Sequence, residues 1–353
     1  VLGAYGGSGN TRNYLYYDLA TIANFIQPSN KVKPANAISS GNATNVKGLH
    51  REEMVKDMTD YGFSVANWQY DTMSGSYAYY PQLKVFSENA NQGIVAISKE
   101  AIKVFVRDGM GTQGYPFLIR NIDYIDDLRY KVNYGNTFQG FYFKMQLDGG
   151  ADSIDLGDFE PIGNSGRPFR GSFDGNNVEF ILAIDKENLS YQGLFGYFGV
   201  GTIKNLSVKG FVKGYEYVGG IVGYKESGTI TDVYNLAQIS GVNYVGGIVG
   251  YNYGSIQRAY NAGKITGSGN NVGGIVGYLR DGTVSYIYNV EEIVGAANVG
   301  GLVGYTYGIG TSRYSTVSYG YNAGEVGGNS TSNIGGVIGA GSGSGNSRSN
   351  LYY

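Results

Sequence analysis

Any chemistry in this sequence has to be done without thiols and with a single imidazole, since the chain contains no cysteine and one histidine, His50. A zinc peptidase needs two histidines at helical spacing, and "HREEM" at 50–54 lacks the second. A Ser-His-Asp triad would have to use the same residue. His50 precedes a short helix predicted over 52–58, which suits a surface or capping histidine. Carboxylates are the remaining option, because clustered acids cleave glycosidic bonds. The densest acidic group is Asp148, Asp152, Asp155 and Asp158 in "LDGGADSIDLGDF". Its spacing does not match the EF-hand loop and is expected to serve turns and solvation. Calcium is the one cofactor these acids would take, and otherwise none is expected. "GSGNTR" and "GSGNSR" lack the P-loop lysine and are expected to be turns. No catalytic residue is assigned, and the chain is not expected to be an enzyme.

Composition narrows the partners and the fold. A net charge of -2 creates no field for nucleic acid. No apolar run approaches the roughly 20 residues of a membrane span. The chain starts at Val1 without a signal peptide, as expected of a processed chain or a fragment. Glycine supplies 59 of 353 residues, well above the roughly 7% of ordinary proteins. Only 6 prolines accompany them, which excludes collagen, and 34 tyrosines argue against disorder. The length allows one to three domains of a turn-rich β protein.

The elements that position these residues follow from a repeat. "VGGIVGY" stands at 218–224, with near-copies at 245–251, 272–278 and 299–305. Gly193, Gly220, Gly247, Gly274 and Gly301 are spaced 27 apart at every step (220-193, 247-220, 274-247, 301-274), a period typical of solenoids. Each period holds three short β-type runs broken by glycine or asparagine, as in "VGGIVGY", "GTITDVYN" and "AQISG". The prediction is an all-β parallel β-helix with three-strand coils of about 27 residues, stacked roughly 4.8 Å apart. The usual crossover rule makes it right-handed.

In that fold the repeat becomes columns of like residues. Ile221, Ile248, Ile275 and Leu302 are expected to form an inward aliphatic ladder. Tyr224, Tyr251, Tyr278 and Tyr305 form an aromatic one. Asn235, Asn261, Asn289 and Asn322 sit at a corner where each side chain can bond its counterparts above and below. The glycine pair is expected to supply positive φ and close backbone approach. The next motif, "IGGVIGA" at 334–340, comes after 35 residues (336-301), and its eight extra residues are expected in a loop at 307–316.

The two ends of the chain match. "VLGAYGGSGNTRNYLYY" at 1–17 aligns without gaps with "VIGAGSGSGNSRSNLYY" at 337–353, always 336 apart. Two readings follow: a window of one 336-residue unit plus an overlap from a tandem array, or a protomer whose ends are equivalent in neighbouring subunits. Both expect the β-helix to continue past Tyr353. Bare coil ends invite aggregation, and Tyr124, Ile125, Leu128 and Val132, at helical spacing behind Asn121 or Asp123 as N-cap, can plug the first coil.

The "G-[LIV]-[FV]-G" series resembles the GLUG motif repeats of bacterial surface proteins, adhesins and the stalks of IgA-specific peptidases. The segment 111–135 is similar to the opening of such domains, 159–177 to their early coils, and 48–86 to their closing helix and tryptophan-containing strand. The resemblance implies that 1–86 is the C-terminal end of a preceding unit and 87–110 a β-rich connector. Residues 111–353 are then a second unit with an N-terminal capping helix and GLUG coils at 193–340. It further implies a structural or adhesive segment of an extracellular or cell-surface fibre, stalk or adhesin. Its partner would be itself or the adjoining repeat, end to end, with a host or carbohydrate surface ligand as the further partner of an adhesin. The alternatives are a carbohydrate-binding or carbohydrate-degrading β-helix and a phage or cell-surface spike.

Overall fold

The computed structural model describes residues 111–310, 314–328 and 332–353, and before them a set of short strands. The backbone divides into two compact units, Val1–Leu118 and Ile119–Tyr353. In the first, Arg12–Asn13 pairs in parallel with Ala43–Thr44, and Tyr16–Asp18 with Lys47–Leu49. Trp68–Gln69 and Tyr77–Tyr79 pair antiparallel with Gln82–Leu83 and Ala96–Ser98. His50 and the helix predicted at 52–58 lie outside the described residues.

The second unit belongs to an all-β parallel solenoid of about nine turns with coils near 27 residues. One sheet stacks Thr202–Lys213, Thr229–Asn235, Ser255–Asn261, Thr283–Asn289, Ser315–Asn322 and Asn346–Tyr352. A second stacks Phe195–Phe198, Val222–Lys225, Val249–Asn252, Val276–Arg280, Val303–Tyr307 and Ile338–Ser342. A third runs from Glu216–Gly219 to Ile334–Gly335. Register in the second sheet advances by 27 from Phe195 to Val222, Val249, Val276 and Val303. The first sheet is less regular: the steps 229-202, 255-229, 283-255 and 316-283 are 27, 26, 28 and 33. The corners absorb the difference, so the strands stay in register.

The eight extra residues do not form one loop. Thr283 pairs with Thr316 and Ile293 with Val326, both steps of 33, so six extra residues precede Thr316. Val299 pairs with Ile334, a step of 35, which puts the other two between Gly328 and Ile334. A strand falls between the two sites, and a coil can lengthen only where no ladder bond is broken.

The corners bear out one half of the expected role of the glycine pair, close backbone approach, and correct the other, positive φ. Left-handed backbone occurs at Tyr217, Tyr244, Asn271 and Asn298, and in a second column at Asp232, Arg258, Tyr286, Tyr319 and Asn350. The paired glycines at 219–220, 246–247 and 273–274 have no positive φ and serve the close approach alone. A Cβ on Gly247 would lie 2.2 Å from the Gly274 carbonyl oxygen and 2.6 Å from Oδ1 of Asn261. A left-handed non-glycine residue costs roughly 1–2 kcal/mol, set against contacts between successive corners: Tyr217 stacks on Tyr244, Asn298 bonds Asn271, Arg258 pairs with Asp232 and Tyr286 stacks on Tyr319.

Inside, the core changes along the axis. Phe143, Phe169, Phe173 and Phe195 pack ring to ring at the start, with Phe169 and Phe173 each 5.3 Å from Phe195. Later coils are filled by isoleucine and valine. The α-helix Ile122–Asn133 buries Tyr124, Ile125, Leu128 and Val132. Its N-cap is Asn121, which makes no side-chain cap bond; the Asn121 carbonyl accepts the Tyr124 N–H at 3.2 Å. At the other end of the helix, the Asn133 side chain donates to the Pro161 carbonyl at 3.1 Å and accepts the Gly163 N–H at 2.8 Å, tying the helix to the first coil.

Candidate functional site

Repetition along the axis makes the ladders the chain's most ordered chemistry. Ile221, Ile248, Ile275 and Leu302 are fully buried, and each N–H donates to the carbonyl of the next at 3.2, 3.0 and 2.9 Å. Asn235 Nδ2 donates to Asn261 Oδ1 at 2.6 Å, Asn261 to Asn289 at 2.6 Å, and Asn289 to Asn322 at 2.7 Å. Each amide also bonds its own corner; Asn261 donates to the Gly263 carbonyl at 2.8 Å. The side chains are buried, so a mutually bonded column costs little where an isolated amide would be expensive.

The tyrosine ladder is longer than expected. Tyr197, Tyr224, Tyr251, Tyr278 and Tyr305 stack at 4.7, 4.8, 4.8 and 5.2 Å between ring centres. A second column, Tyr191, Tyr217 and Tyr244, stacks at 4.9 Å per step and meets the first edge-on. At the next corners it gives way to Asn271, Asn298 and Asn333, bonded at 2.9 Å per step. A third column runs from Tyr234 through Tyr260 and Tyr288 to Tyr321. Burial, reinforced by neighbouring tyrosines, pushes Tyr217 and Tyr278 up to about 12 and raises Tyr224 and Tyr251 further. These hydroxyls therefore stay protonated, as a structural column requires.

Lys225 is a residue the sequence reading missed. It is fully buried in the column Phe198, Lys225, Asn252, Leu279, Thr306. Its ammonium donates to the carbonyls of Gly228 at 2.9 Å and Tyr253 at 2.8 Å. Desolvation pushes its pKa down to about 7. Its position, 27 before Asn252, is the only signal the sequence offers.

The four aspartates are not brought together as a metal centre. Asp148 stands 3.7 Å from Arg120, and Asp158 pairs with Lys186 at 2.6 Å. Asp155 accepts the Gly157 N–H at 2.9 Å where the register of the strand Ser153–Gly157 shifts, and all four residues are exposed. Among the described residues no group of three or more His, Cys, Asp or Glu is placed to hold a metal ion.

The far end of the stack is different from the helix-covered end. Val299 is fully buried, whereas Ile334, stacked on it, is 39% exposed. Tyr352 is 66% exposed. Among the described residues the strand Asn346–Tyr352 is the last in its sheet, with one edge paired and the other open. No helix among the described residues is long and apolar enough to cross a membrane.

Comparison with known proteins supports the fold and little beyond it. No protein-family profile matches the chain. A 112-residue stretch, 29% of the chain, is 32% identical to a protein of Evansella cellulosilytica described as a "Putative Gly-rich membrane protein", and spans 12% of that protein. The fold is similar to the crystal structure of "a putative immunoglobulin A1 protease from Bacteroides ovatus", with TM-score 0.54 and 22% identity over 70% of this chain and 78% of that one. At that identity the likeness is one of fold.

Proposed function

We propose that this chain is a structural, adhesive segment of an extracellular surface fibre, stalk or adhesin, built from GLUG-type coils and joined end to end with further copies of itself. The observation that carries the reading is the run of in-register ladders, buried asparagine and stacked tyrosine, that joins coil to coil along the axis. Axial load is shared by backbone bonds and by three tyrosine columns. The role is mechanical and non-enzymatic, with no cofactor. The relative described as a Gly-rich membrane protein is consistent with a surface location.

The test is the mass of the intact polypeptide from its native source under strong denaturation, alongside electron microscopy of undenatured material. Filaments are expected, with a mass near 37.9 kDa for a non-covalent polymer or many times that for a tandem chain. Dispersed particles of 37.9 kDa would contradict the proposal.

One observation favours a second reading as a carbohydrate-binding β-helix. Tyr286 and Tyr319 stack at 5.0 Å while remaining 57% and 52% exposed, a wet aromatic face of the sort sugars pack on. Glycan-array binding that is lost in Tyr286→Ala would move the assignment to that reading.

A further inference from the structure

We propose that Tyr286 and Tyr319 are an oxidative cross-linking site, where an external one-electron oxidant joins the two rings into a dityrosine and so ties two successive coils covalently. The site is independent of the fibre reading, since the tie lies within one chain.

Both residues stand at the same corner of neighbouring coils. The strand Thr283–Asn289 pairs with Ser315–Asn322 through Ser285 opposite Ser318 and Ile287 opposite Gly320. Between those pairs Tyr286 and Tyr319 share left-handed backbone, φ 55° and 51°, so the two side chains leave the sheet together. Their rings stack 5.0 Å apart and within 4° of parallel, while the two residues stay 57% and 52% exposed. Arg258 and Asn350 take the next corners on either side, so each phenol has the other as its tyrosine neighbour in this column. The strand Asn346–Tyr352 stacks beyond Ser315–Asn322, which places the pair within the stack and not at its last layer.

Each phenol gives one electron to the oxidant and one proton to water. The two phenoxyl radicals couple through the ring carbons beside their oxygens, and the hydrogens on those carbons shift to the oxygens, which restores both aromatic rings. The product carries two hydrogens fewer than the parent chain, and the oxidant has taken up two electrons. Stacking holds the reacting rings in contact, which turns a bimolecular coupling into an intramolecular one. Exposure admits the oxidant and lets the rings turn from parallel into the twisted biaryl, because χ2 of tyrosine is a soft torsion. Tyr224 and Tyr251 are as close, at 4.8 Å, but Tyr251 is 9% exposed and wedged among Tyr217, Tyr244 and Tyr253. Tyr130 and Tyr134 also stack while exposed, yet they lie four residues apart at the end of the helix Ile122–Asn133, so a bond there ties one turn to itself. The Tyr286–Tyr319 bond spans 319-286, or 33 residues, including the six extra ones before Thr316, and fastens the lengthened coil to the one before it.

The test treats the full chain, at high dilution, with tris(bipyridyl)ruthenium(II), light and persulfate, which accepts the two electrons as it splits to sulfate. Tryptic digests of the single-chain band are then searched for peptide 281–313 joined to 314–348, two hydrogens below their summed mass, and read for dityrosine fluorescence. The joined pair is expected from the parent and from Tyr288→Phe. It should fall at least about tenfold in Tyr286→Phe and in Tyr319→Phe, which keep the stacked ring and lose the phenol. It should fall likewise when the parent is oxidised in strong urea, where nothing holds the two rings together. A joined pair that persists in Tyr286→Phe or is lost equally in Tyr288→Phe, one found only between chains, or none at all would overturn the assignment.

Discussion

The side chain of Asn261 accepts a hydrogen bond from Asn235 at 2.6 Å and donates one to Asn289 at 2.6 Å, so that three successive coils are joined through one buried amide. The same side chain closes its own corner by donating to the Gly263 carbonyl. Axial contact and corner shape therefore depend on the same group.

Replacing Asn261 by alanine is expected to strand buried partners above, below and in its own corner. Each unsatisfied group costs about 1–3 kcal/mol, so the variant should lose on the order of 3 kcal/mol. Asn261→Asp should lose more, since a carboxylate cannot donate to Asn289 and carries a buried charge. Denaturant titration followed by far-ultraviolet circular dichroism checks both, and an unchanged midpoint in the alanine variant would contradict the ladder's role.

A methyl group at Gly247 meets the Gly274 carbonyl oxygen at 2.2 Å, and backbone cannot swing aside as a side chain can. Gly247→Ala is expected to cost at least about 3 kcal/mol or to prevent folding. Gly327→Ala, where nothing lies within 4 Å, should stay within about 0.5 kcal/mol of the parent chain. Comparing their thermal midpoints separates close approach from a general intolerance of the glycine positions.

Lys225 predicts a pH dependence on the alkaline side of neutrality. Its folded pKa is pushed down to about 7 from an ordinary 10.5. Between those values the unfolded chain holds a proton that the folded chain does not. Stability from this residue therefore rises with pH across that window, by at most about 1.4 kcal/mol per unit. Below about pH 7 the buried ammonium carries its full desolvation cost. Lys225→Met should remove the rise: the stability difference between parent and variant should shift in the parent's favour from pH 7 to pH 10. A pH-independent difference would show that the amine is solvated.

The tyrosine columns give the opposite slope at higher pH. Tyr217 and Tyr278 are pushed up to about 12 by burial, so their contribution is complete below pH 10 and is lost as pH rises from there towards 12. In that window the unfolded chain ionises and the folded one resists. Unfolding above pH 10 should be steep, and Tyr251→Phe, which removes a raised hydroxyl without removing its ring, should make it shallower. The part of the tyrosinate absorbance that Tyr251→Phe removes should arrive together with unfolding read by circular dichroism; the same increment appearing while the chain is still folded would contradict this.

The coil was legible because its chemistry repeats at a fixed interval. Gly220, Gly247 and Gly274 give the period, and the register steps of 27 between Val222, Val249 and Val276 follow it. Asn235 to Asn322 could be placed although their spacing runs 26, 28 and 33, because each follows a tyrosine at a strand end. The corners were harder. Tyr217, Tyr244, Asn271 and Asn298 are as regular as the glycines, 27 apart, yet a tyrosine is not a turn signal in isolation, and the ring stacking that accompanies its left-handed backbone here is a contact between coils. Lys225 was hidden for a related reason. Its column mixes phenylalanine, lysine, asparagine, leucine and threonine, so position repeats while residue type does not.

The central claim is axial continuation of the solenoid from one copy to the next, and fibre diffraction from aligned assemblies of the full chain tests it most directly. The account predicts a sharp meridional reflection near 4.8 Å from coils stacked along the filament axis. Filaments with that spacing running across the axis, or a solution of 37.9 kDa particles at every concentration, would contradict it.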